Sequence, residues 1–130
     1  MIKENDLRLN NLVKWNDSVQ KITAIAFGNC LLDNNPTADY PVKIIEIEPI
    51  KLTKKILLSC GFKERKSVFG YFIYEIKFQH TVFSVEEVDL GLCYFYIGNT
   101  HVSQTKNVHE LQNLYFSITG EELVFSTTEP

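Results

Sequence analysis

A chain of 130 residues, of which 45% are apolar, has the size and composition of one soluble globular domain. No apolar run approaches the roughly 20 residues that a membrane-spanning helix needs, and the polar N-terminus lacks the apolar stretch of a signal peptide. The net charge of −3 excludes a strong overall attraction to nucleic acid or to an anionic membrane. Three widely spaced cysteines suit buried thiols better than a disulfide framework, so we expect a cytoplasmic protein.

The first third of the chain is predicted to form β-structure. Short runs of apolar residues alternate loosely with polar ones and are separated by turns rich in Asn, Asp, Gly and Pro. These runs cover residues 12–15, 19–27, 30–32 and 42–47. In the fourth run, Lys43, Ile45 and Ile47 would lie on one face of a strand. Four short strands with tight turns predict a small curled sheet or barrel that resembles an SH3-like module, with an open meander as the alternative.

The rest of the chain is predicted to contain two helices and a second sheet. Thr53 and Gly61 mark the start and the end of a short helix over 53–60. Three antiparallel strands joined by short polar turns follow it. These strands cover residues 71–78, 82–88 and 92–97. A longer helix over 108–119 is expected to lie on this three-stranded meander, and residues 121–125 are expected to be a short strand or an extended tail.

The longer helix carries signals at both of its ends. Asn107, with Glu110 three residues later, has the spacing of a capping box, and Gly120 suits the left-handed residue that ends a helix. Between these ends, apolar residues recur every three or four positions and form one stripe. The stripe consists of Val108, Leu111, Leu114, Tyr115 and Ile118. Its two leucines and its isoleucine are expected to be buried against the core.

Together these elements predict an α+β fold. We expect a single domain over residues 1–130, with a β-rich N-terminal part at 1–48 and a helix–sheet–helix part at 49–130. No internal repeat, low-complexity tract or long linker occurs that would divide the chain into separate domains.

Three stretches of the chain also resemble one protein family. They are NDLRLNNLV at 5–13, IEPIKLTKKILLSCGF at 47–62 and VHELQNLYFSITGEEL at 108–123. In this order they are similar to LR-x-G-N-x-V, a PLT-helix-CGF element and VHxLQNLYFxLTGEEL, a pattern of small uncharacterised proteins from phages and prophage-like elements of Bacteroides-type bacteria. Asn10 stands where that family favours glycine, and Lys54 and Lys55 stand where it favours acidic residues. The resemblance implies an accessory protein of a mobile element in the host cytoplasm, without implying an activity.

The residue types that usually carry catalysis or bind metal show no recognisable arrangement. His80, His101 and His109 and the three cysteines lack the short spacings of a zinc site. Cys60 is expected at the C-terminal end of a helix, where the helix dipole disfavours a thiolate. No GxSxG turn, phosphate-binding loop or paired-carboxylate signature occurs. We therefore predict no catalytic residue, no metal and no cofactor, and we rank an enzyme of unknown type third among the functions considered.

Aromatic residues are concentrated in the predicted second sheet. Alternation puts Tyr71 and Tyr74 on opposite faces of its first strand, and it puts Tyr94 and Tyr96 on one face of its third strand. If the long helix covers one face of the sheet, the other face displays tyrosines that can anchor a protein partner or stack on bases. Tyr71, Tyr94 and Tyr96 are therefore candidate partner-binding residues. The alternative is that both faces are partly covered within the domain.

A second candidate site is a basic patch between residues 51 and 66, where six basic residues occur against one acidic residue. The basic patch consists of Lys51, Lys54, Lys55, Lys63, Arg65 and Lys66. Lysines in the first turn of a helix are mildly unfavourable because of the helix dipole. Either Glu46 or Glu48 offsets the two lysines of the short helix, or these lysines and the helix N-terminus hold an anion.

Two functions from different classes follow from these candidates. The first is a non-enzymatic phage or mobile-element accessory protein that binds a protein partner, of the host or of the phage, through an exposed tyrosine-bearing face. The alternative is a binder of nucleic acid or of a nucleotide, in which the basic patch holds phosphates. Small β-rich modules support all of these roles, so the fold by itself does not choose between them.

Overall fold

The computed structural model of the protein describes residues 2–34, 41–89 and 92–126, and the strands in these segments pair into two antiparallel sheets. One sheet is a curled half-barrel of four strands, and the other is a meander of five strands. Two α-helices accompany the sheets in the described segments. The predicted α+β class is therefore confirmed.

The N-terminal sheet has its strands in sequence order, and each strand pairs with the next. The strands are β1 (Leu12–Trp15), β2 (Ser18–Ala26), β3 (Asn29–Leu32) and β4 (Val42–Lys43). Val13, Ile22 and Leu32 are fully buried and form the centre of a small aliphatic core. Beyond β4, Lys14 and Glu48 exchange two backbone hydrogen bonds of 2.8 Å, so the chain returns to the other edge of β1. The small curled sheet expected from the sequence is present.

The fourth predicted strand is shorter than expected. β4 ends at Lys43, and residues Ile44–Glu46 form a 3₁₀ turn. A 3₁₀ turn places residues three apart on the same side, so Ile44 and Ile47 are buried while Ile45 is 69% exposed. The prediction that Lys43, Ile45 and Ile47 share one face is therefore wrong, because the alternation of a strand stops after two residues.

Helix α1 (Lys54–Ser59) begins and ends as the sequence predicts. The Thr53 hydroxyl accepts a hydrogen bond from the backbone N–H of Ile56 at 3.2 Å, which caps the first turn. Gly61 has a φ of +100°, a left-handed conformation that glycine adopts without steric cost. Ile56 and Leu57 are buried in the larger of the two hydrophobic cores.

The second sheet extends the predicted three-stranded meander by one strand on each side. Its strands are β5 (Lys63–Lys66), β6 (Phe72–Phe78), β7 (Thr81–Asp89), β8 (Leu92–Ile97) and β9 (Thr100–Thr105). The three inner strands correspond to the predicted ones. The two edge strands read KERK and THVSQT, so neither shows the apolar alternation that identifies a strand in a sequence. They are strands because their backbone groups pair with those of β6 and β8.

Helix α2 (Val108–Thr119) is present, but its buried side is rotated from the predicted stripe. Leu111 and Tyr115 are buried as expected. Leu114 is only partly buried and Ile118 is 41% exposed, which corrects the prediction for these two residues. The rotation arises because the helix packs against the N-terminal segment as well as against the second sheet, so polar side chains occupy part of its buried surface.

Both predicted ends of α2 are confirmed. Asn107 and Glu110 form a capping box. The Glu110 carboxylate accepts hydrogen bonds from the backbone N–H groups of Asn107 at 2.9 Å and of Lys106 at 3.1 Å. Gly120 has a φ of +74° and ends the helix in the left-handed conformation.

The larger core lies between the second sheet and the helices. Phe83, Val85 and Phe95 on this core face of the sheet are fully buried. The ring of Tyr115 from α2 meets Phe83 edge-on, with 5.7 Å between the ring centroids, and it meets Phe78 in the same way at 6.3 Å. One face of the second sheet is therefore buried in the hydrophobic core.

A polar clamp joins the N-terminal segment to α2. We define the clamp as Arg8, Asn10, Asn11, Gln112, Asn113 and Glu122. The side-chain oxygen of the buried Gln112 accepts a hydrogen bond from the backbone N–H of Leu12 at 2.8 Å, and its amide nitrogen donates to the carbonyl of Asn10 at 3.0 Å. Asn11 donates a hydrogen bond to the side-chain oxygen of Asn113 at 2.8 Å. Each of these contacts gives a hydrogen-bond partner to a polar group that has lost its contact with water on folding.

Arg8 supplies the charged part of the clamp. Its guanidinium forms an ion pair with Glu122, in which one N–O distance is 2.9 Å, and it lies over the ring of Phe116 at 4.1 Å from the centroid. The hydrogen bond from Arg8 is the main reason why the pKa of Glu122 is lowered. The Glu122 carboxylate therefore stays charged at a lower pH than the carboxylate of a free glutamate does.

The clamp connects two of the three stretches that carry the family resemblance, namely those at 5–13 and 108–123. The backbone conformation within the first stretch also explains the residue type at position 10. Asn10 has a φ of +75°, which favours glycine, and asparagine is among the few other residues that tolerate it. The most specific motif of the sequence therefore has an internal structural role.

Candidate functional site

The outer face of the second sheet, which points away from the core, carries the predicted tyrosines. Buried and exposed side chains alternate along β8, so Tyr94 and Tyr96 lie on the side opposite Cys93 and Phe95. Both tyrosines are half-buried, and Tyr71 just before β6 is 42% exposed. The two described helices contribute to the core on the opposite face. The outer face is therefore the accessible one.

A β-bulge brings a histidine into this tyrosine pair. The register between β8 and β9 shifts by one residue, so His101 rather than Val102 lies opposite Tyr96. The His101 ring centroid is 4.8 Å from that of Tyr94 and 5.5 Å from that of Tyr96, with tilts of 56° and 57°. The three rings form one aromatic cluster on the surface. The position of His101 was not predictable from the sequence, because β9 has no apolar alternation that marks it as a strand and no local pattern marks the bulge.

Glu86 is the acidic residue next to this cluster. In the sheet register it lies between Ile73 of β6 and Tyr94 of β8, and side chains in directly opposed positions are neighbours. No described residue gives Glu86 a hydrogen bond or an ion pair. Glu86 was not among the candidate residues predicted from the sequence, although the alternation of a strand puts it and Glu87 on opposite faces.

The electrostatic surroundings confirm that these groups are close together. The pKa of Tyr96 is raised, first by partial burial and then by the negative charges of Glu86, Tyr94 and Tyr71 when they are ionised. Phe69, which is 81% exposed, stacks on Tyr71 with 6.3 Å between the centroids. We call the set of Tyr71, Tyr94, Tyr96, His101 and Glu86 the aromatic face.

The basic patch is divided by the alternation of β5. Lys63 and Arg65 lie opposite Glu75 and Ile73 on the outer face, whereas Lys66 lies opposite Phe72 on the other face. Lys51 is exposed and pairs through its backbone with Asn107, away from this strand. The residues that form one cluster in the sequence therefore do not form one surface.

Two members of the basic patch are paired with glutamates. Lys54 Nζ is 3.0 Å from the Glu64 carboxylate, and Arg65 Nε is 3.0 Å from the Glu75 carboxylate. The offset predicted from Glu46 or Glu48 is therefore wrong for Lys54, because β5 returns beside α1 and brings Glu64 closer. Lys55 also interacts with its surroundings. These pairs reduce the charge that the patch can present to an anion.

The three cysteines and His109 are buried. Burial raises the pKa of Cys60 to about 12 and that of Cys93 to about 11, and it raises the pKa of Cys30 as well. His109 is buried and its Nδ1 has no hydrogen-bond partner in the described structure. Within residues 2–34, 41–89 and 92–126, no three His, Cys, Asp or Glu side chains are grouped so that they could hold a metal ion. Neither helix in those segments is long and apolar enough to cross a membrane.

A second exposed apolar surface lies at the turn between β2 and β3. Phe27 is 97% exposed, and its φ of +52° is unusual for a bulky side chain. A groove of about 250 Å³ next to it is lined mainly by aliphatic side chains. Among the described residues, the Cys30 thiol is the only ionisable group that lines this groove, whereas the aromatic face combines rings with a carboxylate that has no described partner. The aromatic face is therefore the more specific site.

Comparison with known proteins adds no further assignment: no family model, curated protein or solved structure shows significant similarity to this chain.

Proposed function

We propose that this chain is a non-enzymatic accessory protein that binds another protein through the aromatic face. The observation that supports the proposal is the cluster of Tyr94, Tyr96 and His101, which lies outside both hydrophobic cores beside Glu86, a glutamate with no partner among the described residues. Tyrosine is enriched in protein interfaces because its ring provides a large apolar area and its hydroxyl provides a hydrogen bond.

The rigidity of the sheet favours this role. β8 is an inner strand that pairs along both of its edges, so the backbone that carries Tyr94 and Tyr96 is fixed before any partner arrives. The contacts with His101 restrict the tyrosine rings as well. Little conformational entropy is then lost on binding, which is the cost that most reduces the affinity of flexible surfaces.

We place the protein in the cytoplasm of a bacterial host, as an accessory protein of a phage or related mobile element. The three stretches that resemble the phage family support this setting, and the clamp gives two of them a role in holding the fold together. The partner is then a protein of the host or of the phage.

Nucleic-acid or nucleotide binding is the alternative, and one observation favours it. Lys63 and Arg65 lie on the same outer face as the tyrosines, and aromatic rings beside cations suit single-stranded nucleic acid. Arg65 is paired with Glu75, and the other lysines of the patch lie elsewhere. A site for several phosphates needs more unpaired cations on one surface. We therefore rank this function second.

The proposal is tested by capture from host lysate, with and without nuclease treatment, using three forms of the full chain. These are the wild type, a Tyr94→Ser/Tyr96→Ser variant and a Phe27→Ser variant. Phe27→Ser is the matched control, because it also removes an accessible aromatic ring, but from the β2–β3 turn of the other sheet. We expect a protein that the wild type and the Phe27→Ser variant retain and that the double variant loses.

Two results would contradict the proposal. In the first, every captured protein is retained equally by the double variant. In the second, nuclease treatment removes all binding, while single-stranded DNA or RNA binds the pure protein and Lys63→Glu/Arg65→Glu abolishes that binding. The second result would replace protein binding with the nucleic-acid alternative.

A further inference from the structure

We infer that the aromatic face recognises an arginine side chain in an extended basic segment of its protein partner, with the guanidinium held on the tyrosine rings and paired with Glu86. This inference rests on the proposed function and specifies the chemistry of the partner. It is supported by the rings, by the unpaired carboxylate and by the distribution of charge across the sheet.

The rings provide the first part of the site. A cation is attracted to the face of a tyrosine ring, and arginine also stacks on the ring through its planar guanidinium. The clamp already contains this contact, since Arg8 lies 4.1 Å from the centroid of Phe116 and pairs with Glu122. Tyr94 and Tyr96 beside Glu86 repeat the same combination of aromatic ring and carboxylate, but without an internal arginine.

The carboxylate provides the second part. Glu86 is directly opposite Tyr94 in the sheet, so a cation over the ring of that tyrosine is within reach of it. The side chain of Glu86 is half-buried, and the nearby Arg65 is engaged by Glu75. A half-buried carboxylate pairs more strongly than a fully exposed one because the surrounding protein screens the charge less than water does. Binding of an arginine would satisfy this group.

The distribution of charge on the outer face indicates whether the partner segment is basic or acidic. Lys63 and Arg65 lie on the outer face at the β5 edge of the sheet, whereas Glu86 lies on the central strand β7, directly opposite Tyr94. The pKa of Tyr96 is raised first by burial and second by the negative charge of Glu86. The Glu86 carboxylate attracts a cation and repels an anion, so we expect a basic segment there rather than an acidic or phosphorylated one.

The experiment titrates three capped peptides into the full chain and follows the amide and ring signals of the protein by NMR. The peptides are Ac-Gly-Arg-Gly-Arg-Gly-NH₂ and its counterparts with lysine or citrulline in place of arginine. Citrulline has nearly the shape of arginine but no charge. We expect the arginine peptide to shift the signals of Tyr94, Tyr96, His101 and Glu86, and to bind about tenfold more tightly than the citrulline peptide.

Substitutions locate the site. Glu86→Gln should weaken binding of the arginine peptide about fivefold, which is the size expected for a partly exposed charge pair. Glu46→Gln is the matched control, because it removes the same charge from an exposed position in the N-terminal part, and it should leave the affinity unchanged. Raising the salt concentration from about 50 mM to about 300 mM should weaken binding to the wild type and have little effect on Glu86→Gln.

The inference is overturned if the arginine and citrulline peptides bind equally, if Glu86→Gln binds like the wild type, or if no peptide shifts the signals of the aromatic face at millimolar concentration. The capture experiment, with Glu86→Gln added to its variants, separates this failure from that of the proposed function. A protein whose capture depends on Tyr94 and Tyr96 but not on Glu86 would leave the docking surface in place and exclude arginine as its ligand.

Discussion

The clamp and the aromatic face use similar side chains in opposite ways. In the clamp, Arg8, Glu122 and Phe116 contact one another, and the side chain of Gln112 is satisfied by backbone groups of the N-terminal segment. In the aromatic face, tyrosine rings lie beside a glutamate that has no partner in the described structure. The charged and polar groups of the clamp are therefore paired within the chain, whereas the glutamate and the rings of the aromatic face remain available to a partner.

The difference shows that a specific sequence motif is not by itself a functional site. The stretches at 5–13 and 108–123 are the most recognisable parts of the chain, and the contacts of the clamp account for much of their polar content. The aromatic face has no motif, because its residues come from separate strands. The following predictions test this contrast, from the largest expected effect to the smallest.

Leu111→Ala should destabilise the protein by about 2–5 kcal/mol, because the leucine is fully buried under the second sheet and its loss leaves a cavity. Ile118→Ala on the same helix is the matched control. Its side chain is 41% exposed, so the free energy of unfolding should change much less. Urea denaturation measures both. Equal effects would mean that the helix is oriented as the apolar stripe of the sequence predicts.

Gln112→Ala should cost about 1–3 kcal/mol, because it leaves the backbone N–H of Leu12 and the carbonyl of Asn10 without partners in a buried place. Gln104→Ala, at an exposed position of β9, is the control and should be nearly neutral. The same denaturation series compares them. A neutral Gln112→Ala would show that the clamp contributes nothing to stability and would remove the contrast between the two surfaces.

Asn10→Ala should destabilise by about 1–2 kcal/mol, because alanine is strained at the φ of +75° and loses the hydrogen bond to Glu122. Asn10→Gly should cost less, since glycine adopts this conformation freely. Thermal unfolding of both variants checks the order. Alanine as stable as glycine would exclude backbone conformation as the reason for the residue preference at this position.

Lowering the pH should destabilise the protein in two steps, one at the buried His109 of α2 and one at Glu122 of the clamp. The pKa of His109 is lowered from 6.5, mainly by burial, so the unfolded chain takes up a proton first and stability falls as the pH drops below 6.5. The pKa of Glu122 is lowered from 4.5, mainly by the hydrogen bond from Arg8, so its contribution is present above 4.5 and is lost as the pH falls through the lower folded value.

Urea denaturation between pH 7 and pH 3 checks both steps on the wild type, His109→Gln and Glu122→Gln. The first variant should lose the fall that begins near pH 6.5, and the second should lose the fall below pH 4.5. Glu46→Gln should keep both steps. A pH dependence that neither substitution alters would show that the acid sensitivity arises at residues other than His109 and Glu122.

Tyr94→Ser should change the free energy of unfolding least, by about 0.5 kcal/mol, because the outer face lies outside both cores. Thermal unfolding measures this effect, with Tyr115→Ser in the core as the comparison, where the loss should be several kcal/mol. If Tyr94→Ser destabilised the protein as much as Tyr115→Ser, the aromatic face would be structural rather than available to a partner.

Local signals in the sequence determined much of the fold. Period-two alternation located the inner strands of both sheets, and the cap at Asn107 with the glycine at Gly120 set the limits of α2. These features depend only on residues close together in the chain. For the same reason, alternation correctly put Tyr94 and Tyr96 on one face and Phe95 on the other.

Contacts between distant residues decided the rest. The edge strands β5 and β9 have no apolar alternation and form because β6 and β8 offer them backbone partners. The orientation of α2 follows from polar contacts with a segment about a hundred residues away, which no helical period encodes. The site itself required the pairing of β7, β8 and β9 and a one-residue bulge, because only these bring Glu86 and His101 to the tyrosines.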